Sequence, residues 1–233
     1  MKVLLPKSRT LIKNCSVYAR DSYNDLTKDV DYINDDYTDC RIYFSVKNNV
    51  LYIYGPGSVS IRDWSLDFQV WRKMVDYFDN SLVHAGFMRI YEAVRSRIHE
   101  KVNHYLLNNK LTKIVCTGHS LFGAVATIIA TDVAMNIDHD LPVSCVTFGS
   151  PRVGNNRFAE LFNNTIFESF RCVYRKDPVT FSPLPIRFKH VRGLIRHNGA
   201  GLDIIFNKYN LCGCRINHHS MDTYCEEFSK EST

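Results

Sequence analysis

Ser120 stands at the apex of Gly118-His119-Ser120-Leu121-Phe122-Gly123, between an apolar run at 113–117 and a helix-forming run at 124–135. Strand, sharp turn and helix in that order lift a serine hydroxyl clear of a sheet and aim the first helical amides, that of Leu121 foremost, at whatever the serine attacks. A hydroxyl is a weak nucleophile until a histidine can take its proton, and that histidine needs a carboxylate to fix its tautomer and stabilise the imidazolium. Asp177 follows Ser120 by 57 positions, in Tyr174-Arg175-Lys176-Asp177-Pro178-Val179, directly after a predicted strand. Alone it reads as an Asp-Pro turn; beside Ser120 it is the candidate acid. Nine histidines compete for the part of base. His119 is expected to point to the opposite side of the elbow. His84, His190 and His197 precede helix or strand segments and read as structural, His84 being also a candidate to line the site. His218 and His219 follow the acid and precede the last predicted helix, and either could complete the relay.

Those groups need a scaffold, and 233 residues at 45% hydrophobic and 23% charged suffice for one α/β domain with a large core. Residues 1–20 read as a leader of mixed polarity wrapping the domain. Tyr23, Leu26, Val30 and Ile33 have helical spacing. The runs 41–46 and 50–54 flank Lys47-Asn48-Asn49 and predict a hairpin. A helix over 87–107, the strand at 113–117 and the helix at 124–135 come next. Then follow a strand at 143–148, a helix at 155–163, a strand at 171–175, loop and short strand over 180–217, and a last helix at 219–228. Strands alternating with helices imply a largely parallel sheet with its functional loops at the strand carboxyl ends.

The net charge is +5, but basic residues are scattered or alternate with apolar ones, the pattern of a solvated face; nucleic acid is not an expected partner. No run approaches the length of a membrane span, and the first residues lack a secretory signal, so cytoplasmic residence is the expectation. The eight cysteines are accordingly expected as reduced thiols, with Cys116 and Cys145 as core filler. Cys212-Gly213-Cys214 with His218 and His219 is a weak metal signal lacking a second ligand pair; no metal and no cofactor are expected. The richness in Asn, Ile, Lys and Tyr fits an AT-biased genome, such as that of a large DNA virus.

From about residue 50 to 228 the chain resembles the class 3, or fungal-type, lipases of the α/β-hydrolase fold. Gly57-Ser58-Val59-Ser60-Ile61-Arg62-Asp63-Trp64 is similar to the family's oxyanion and lid-opening segment. Val83-His84-Ala85-Gly86-Phe87 resembles the start of the helix before the nucleophile strand, and Thr147-Phe148-Gly149-Ser150-Pro151-Arg152-Val153-Gly154-Asn155 is specific to the family. Asp177-Pro178-Val179 resembles its acid motif. His219-Ser220-Met221-Asp222-Thr223-Tyr224 resembles its histidine motif, in which a tyrosine follows five places on, and that spacing selects His219. The order Ser, Asp, His is that of α/β-hydrolases. The resemblance implies a catalytic set of Ser120, Asp177 and His219, an oxyanion hole from Ser58 and Leu121, a lid over about 58–80, and a lipid ester as substrate. Pro56 and Phe122 depart from the pattern, with arginine and the second elbow glycine usual there. A phenyl ring at 122 is expected to overpack the elbow by about 1–3 kcal/mol.

Trp64, Phe68, Trp71, Val75 and Phe78 recur at spacings of 4, 3, 4 and 3, one stripe of a helix that either packs on the core or serves as a lid with its apolar face toward lipid. With His84 and Phe122, the first three are the substrate and lid candidates. The expected function is a serine hydrolase of carboxylic esters of lipids, a triacylglycerol lipase or a related acylglycerol or phospholipid hydrolase, acting where such esters collect, at a membrane or droplet surface. The alternatives are a non-catalytic lipid- or partner-binding homologue with an elbow spoiled by Phe122, and an esterase for non-lipid esters.

Overall fold

The computed structural model describes residues 5–24, 30–57, 71–198, 202–203 and 216–229. Pro6, whose fixed φ suits a first helical turn, opens α1 (Pro6–Asp21), which buries Leu11, Ile12, Cys15 and Ala19 along one stripe. What reads in the sequence as a leader is thus mostly helix. Of the helix expected from Tyr23 to Ile33, residues 25–29 lie outside the described residues, and its far end is strand: in β1 (Asp31–Asp35) Ile33 pairs with Ile42 of β2 (Cys40–Lys47), where cross-strand pairing overrides the local spacing. Asn48 and Asn49, with φ of 52° and 61°, close the expected hairpin from β2 to β3 (Val50–Gly55).

The stripe at 64–78 divides. Trp64 and Phe68, like Ser58, lie outside the described residues. The rest is not helix: β4 (Arg72–Val75) pairs antiparallel with β5 (Ser81–His84), and a short 3-10 turn (Asp76–Phe78) lies between them. Val75 and Phe78 are buried, whereas Trp71 and Met74 are exposed. An isolated antiparallel ladder from Val83 to Gly154, and from Gly154 to Lys189, fixes this small sheet against loops distant in sequence, a constraint that periodicity cannot express.

Helix α2 (Ala85–Asn108) then leads to β6 (Lys113–His119), α3 (Ser120–Asn136), β7 (Val143–Phe148), α4 (Asn156–Thr165), β8 (Glu168–Tyr174), β9 (Leu194–His197), β10 (Leu202–Asp203) and α5 (Met221–Ser229). The main sheet runs β1-β2-β3-β6-β7-β8-β9-β10, with β3, β6, β7, β8 and β9 parallel and its two edges antiparallel. Alternation splits each central strand between two cores. Leu51, Ile53, Ile114 and Cys116 face α2, α3 and α4, while Tyr52, Tyr54, Val115 and Val146 face α1 and α5. A strand buried on both faces reads as the continuous apolar run that marks 113–117.

One buried charge ties the two helices that flank the nucleophile strand. Asp132 of α3, wholly buried, accepts hydrogen bonds from Tyr91, Arg95 and His99 of α2 and from Asn136. Burial pushes its carboxyl up, but the hydrogen bonds from His99, Arg95 and Tyr91 outweigh that and hold it at about 2. The six cysteines among the described residues are buried free thiols. No helix of the described residues is long and apolar enough to cross a membrane.

Candidate active site

Ser120 takes φ of 56°, a conformation L-residues avoid, at the junction where β6 ends and α3 begins. The strained turn holds its hydroxyl at the carboxyl end of the sheet, next to the amide of Leu121, which belongs to the first helical turn and has no intrahelical acceptor. Asp177 leaves the end of β8 and caps the following 3-10 turn, its Oδ1 accepting from the Val179 amide at 2.9 Å. His219 ends another 3-10 turn (Ile216–His219) just before α5, which begins two residues later than the sequence predicts.

These three side chains meet. His219 Nε2 lies 2.8 Å from Ser120 Oγ, and His219 Nδ1 lies 2.7 Å from Asp177 Oδ2. All three residues are buried, Asp177 completely. The arrangement can pass a proton from hydroxyl to imidazole while a fixed carboxylate steadies the ring. Geometry therefore separates the neighbouring histidines: His219 reaches Ser120, whereas His218 stands edge-on to Tyr174, with ring centroids 5.9 Å apart. Among the described residues no group of His, Cys, Asp and Glu could hold a metal ion; Cys212 and Cys214 lie outside them.

Supporting groups emerge that the sequence leaves without a role. Tyr224 donates to Asp177 Oδ2 at 2.7 Å and accepts from the Tyr174 amide at 3.0 Å. Burial, then the Asp177 charge, raise its phenol well above the usual tyrosine value, so it remains a donor. The sequence marks Tyr224 only as the tyrosine five places beyond His219. Gly149 has φ of +57°, and a Cβ there would stand 2.7 Å from Asp177 Oδ2 and 2.9 Å from His219 Nδ1. His119 is not wholly turned away, contrary to expectation: its ring packs against that of His219 at 4.5 Å, and its Nδ1 lies 2.8 Å from the Tyr23 hydroxyl. Burial, and then the His219 imidazole, lower its pKa well below the usual histidine value, which keeps it neutral.

The expected overpacking by Phe122 does not occur. Its ring is buried where Gly55 and Gly118 face it without side chains; a Cβ on either would come within 2.5 Å or 2.6 Å of the ring. Gly123 makes the close helix-to-sheet approach instead, since a Cβ there would meet Ser150 Cβ at 2.9 Å. Gly57 also runs close to the elbow, where a Cβ would lie 3.1 Å from Ser120 Cβ. Of the other substrate and lid candidates, Trp71 is exposed and hydrogen-bonded through its carbonyl to Ala85. His84 is buried in the wall beside α2, its ring against Phe87 at 4.3 Å and Phe188 at 5.6 Å.

A family model described as lipase (class 3) matches residues 52–186. The chain is 33% identical over 148 residues to secreted mono- and diacylglycerol lipase 1 of Fusarium solani, covering 63% of this chain and 44% of that protein. It is 36% identical over 100 residues to phospholipase A1-II 1 of Oryza sativa subsp. indica, covering 37% of this chain and 25% of the other. The chain thus spans about half or less of the length of the curated relatives it matches. Among solved structures, lipase II from Rhizopus niveus superposes with a TM-score of 0.81 at 22% identity, covering 93% of this chain and 94% of that one. That superposition makes the mostly parallel sheet and its flanking helices an α/β-hydrolase fold.

Proposed function

The chain belongs to the class 3 lipase family, and from that premise we propose that it hydrolyses carboxylic esters of lipids through an acyl-enzyme on Ser120. The observation that carries the proposal is the buried relay from Ser120 Oγ to His219 Nε2, 2.8 Å, and from His219 Nδ1 to Asp177 Oδ2, 2.7 Å. Ser120 Oγ attacks the ester carbonyl as His219 Nε2 takes its proton, and a tetrahedral oxyanion forms. The oxyanion turns toward the Leu121 amide and, on this reading, the amide and hydroxyl of Ser58; such donors usually supply the largest share of the rate. Collapse expels the alcohol, which takes the proton from His219, and leaves the acyl group on Ser120. Water then attacks with His219 again as base, freeing the acid and restoring the hydroxyl. Asp177, held by Val179 and Tyr224, keeps His219 in the tautomer that can accept at Nε2.

The Fusarium relative is named for mono- and diacylglycerols and the rice relative for phospholipids, so glycerol esters are the substrate class we propose. The motive for a non-catalytic reading, an elbow spoiled by Phe122, is removed by the glycine-lined seat of that ring. A fluorophosphonate probe tests the proposal: it is expected to label Ser120 in the folded chain. His219→Ala should abolish both labelling and ester hydrolysis while His218→Ala keeps them. A folded chain that resists the probe and hydrolyses no glycerol ester would sink the assignment.

A further inference from the structure

Four large apolar side chains stand in solvent on two segments at the sheet end that carries Ser120: Trp71 and Met74, 71% and 64% exposed, and Leu184 and Ile186, 66% and 87% exposed. The two segments flank one continuous ladder. Arg72 pairs with His84, Val83 with Gly154, and Gly154 with Lys189. Three strand spacings of about 4.8 Å put the flanks about 15 Å apart. The ladder is anchored on the loops that leave β7 and β8, because His84 N donates to Val153 O and Arg152 N donates to Ser182 O. Residues 184–189 thus belong to the same loop region as Asp177, and Trp71 adjoins the start of α2.

Within residues 71–74 and 184–189 every charged side chain is basic. Arg72, Arg187 and Lys189 are exposed and make no side-chain hydrogen bond or ion pair among the described residues, while Lys73 is already matched by Glu92. Apolar groups interleaved with unmatched cations fit a surface that is greasy beneath and negative on top. A neutral oil droplet would reward the apolar side chains but not the cations; an anionic bilayer rewards both.

We propose that residues 71–74 and 184–189 dock the chain on a lipid bilayer of net negative charge, presenting the mouth of the Ser120 site to it. The docking rests on the hydrolase reading for its purpose but not for its measurement. The full chain carrying Ser120→Ala, which leaves vesicles intact, is sedimented with vesicles of phosphatidylcholine alone and of phosphatidylcholine with equimolar phosphatidylserine. Each cation near such a surface contributes about fivefold, so the three are expected to give on the order of 100-fold tighter binding to the mixed vesicles. That preference should fade as salt is raised, a readout that needs no substitution. Adding Arg72→Gln, Arg187→Gln and Lys189→Gln should reduce binding to mixed vesicles to the phosphatidylcholine level. Met74→Ser with Ile186→Ser should weaken binding to both kinds.

Equal binding to the two vesicle types, or undiminished binding by the triple variant, overturns the proposal. With Ser120 restored, hydrolysis of a soluble short-chain ester separates the two claims. Charge-dependent docking without hydrolysis would leave the surface standing and remove the hydrolase, and hydrolysis without charge preference would do the reverse.

Discussion

Replacing Gly149 with alanine adds one methyl group at the most crowded point of the site. Its φ of +57° already costs an L-residue about 1–2 kcal/mol. The new Cβ would stand 2.7 Å from Asp177 Oδ2 and 2.9 Å from His219 Nδ1, closer than real Cβ contacts come, and 3.0 Å from His219 Cε1. Carboxylate and ring are both enclosed, so neither can yield like the free end of a flexible side chain. Overpacking of this kind costs about 1–3 kcal/mol, which with the backbone term makes about 2–5 of the 5–15 kcal/mol that holds a domain together. Most molecules therefore stay folded, with the His219–Asp177 pair displaced from Ser120. A displacement approaching 1 Å lowers kcat by about 10²-fold, whereas KM for a soluble ester should hardly move, because the methyl group lies behind the imidazole and away from the substrate. Steady-state hydrolysis of a short-chain nitrophenyl ester, alongside urea denaturation, reads both quantities. A folded Gly149→Ala protein with the parent's kcat would refute this account of the relay.

Phe122→Gly empties a glycine-lined slot, so it should lose about 3–5 kcal/mol in urea denaturation without any rise in turnover. Faster ester hydrolysis by this variant would mean that the ring had been distorting the elbow after all. Because the folded-state pKa of His119 is depressed below its unfolded value near 6.5, the unfolded chain takes up a proton first as pH falls. Its contribution is therefore complete above pH 6.5 and is lost below it, with a slope of about 1.4 kcal/mol per pH unit. His119→Phe should flatten the fall in stability between pH 6.5 and 5 by that amount, and an unaltered slope would show that His119 titrates normally in the folded protein.

What the sequence reveals follows from how local each signal is. The hairpin is legible because Asn48 and Asn49 supply their own positive φ, and the elbow because strand, serine and helix are contiguous. Ser120 and Asp177 can be singled out by residue type and position, but His218 and His219 differ only through a resemblance until coordinates separate them. The strand at 72–75 is hidden in a stripe with perfect helical spacing, since its fate is set by Gly154 and Lys189. The seat of Phe122 is equally non-local: half of it is Gly55, across a strand pairing from Gly118. No window of sequence contains both walls. Gly149 is visible as part of a motif, yet its reason, room for the His219–Asp177 hydrogen bond, exists only once residues 149, 177 and 219 converge.

The strained serine persists because its surroundings leave it no alternative. Gly118 and His119 are paired on one side to Gly55 and on the other to Thr147 and Phe148, so the strand cannot relax by sliding. The helix that follows is pinned by Asp132 to α2 and, through Gly123, lies close on Ser150. A strained turn of this kind costs about 1–3 kcal/mol and survives only where such neighbours over-determine it. The histidine arrives from a different direction, on the short segment before α5, and α5 packs against α1, where Ser229 Oγ lies 3.2 Å from Ser16 Oγ. Hence the N-terminal helix, unremarkable in sequence, braces the arm that carries His219. The nucleophile is fixed by the middle of the sheet and the base by the pairing of the two terminal helices, so the 2.8 Å contact between them depends on α1 and α5 staying packed against the central strands through Val115 and Val146.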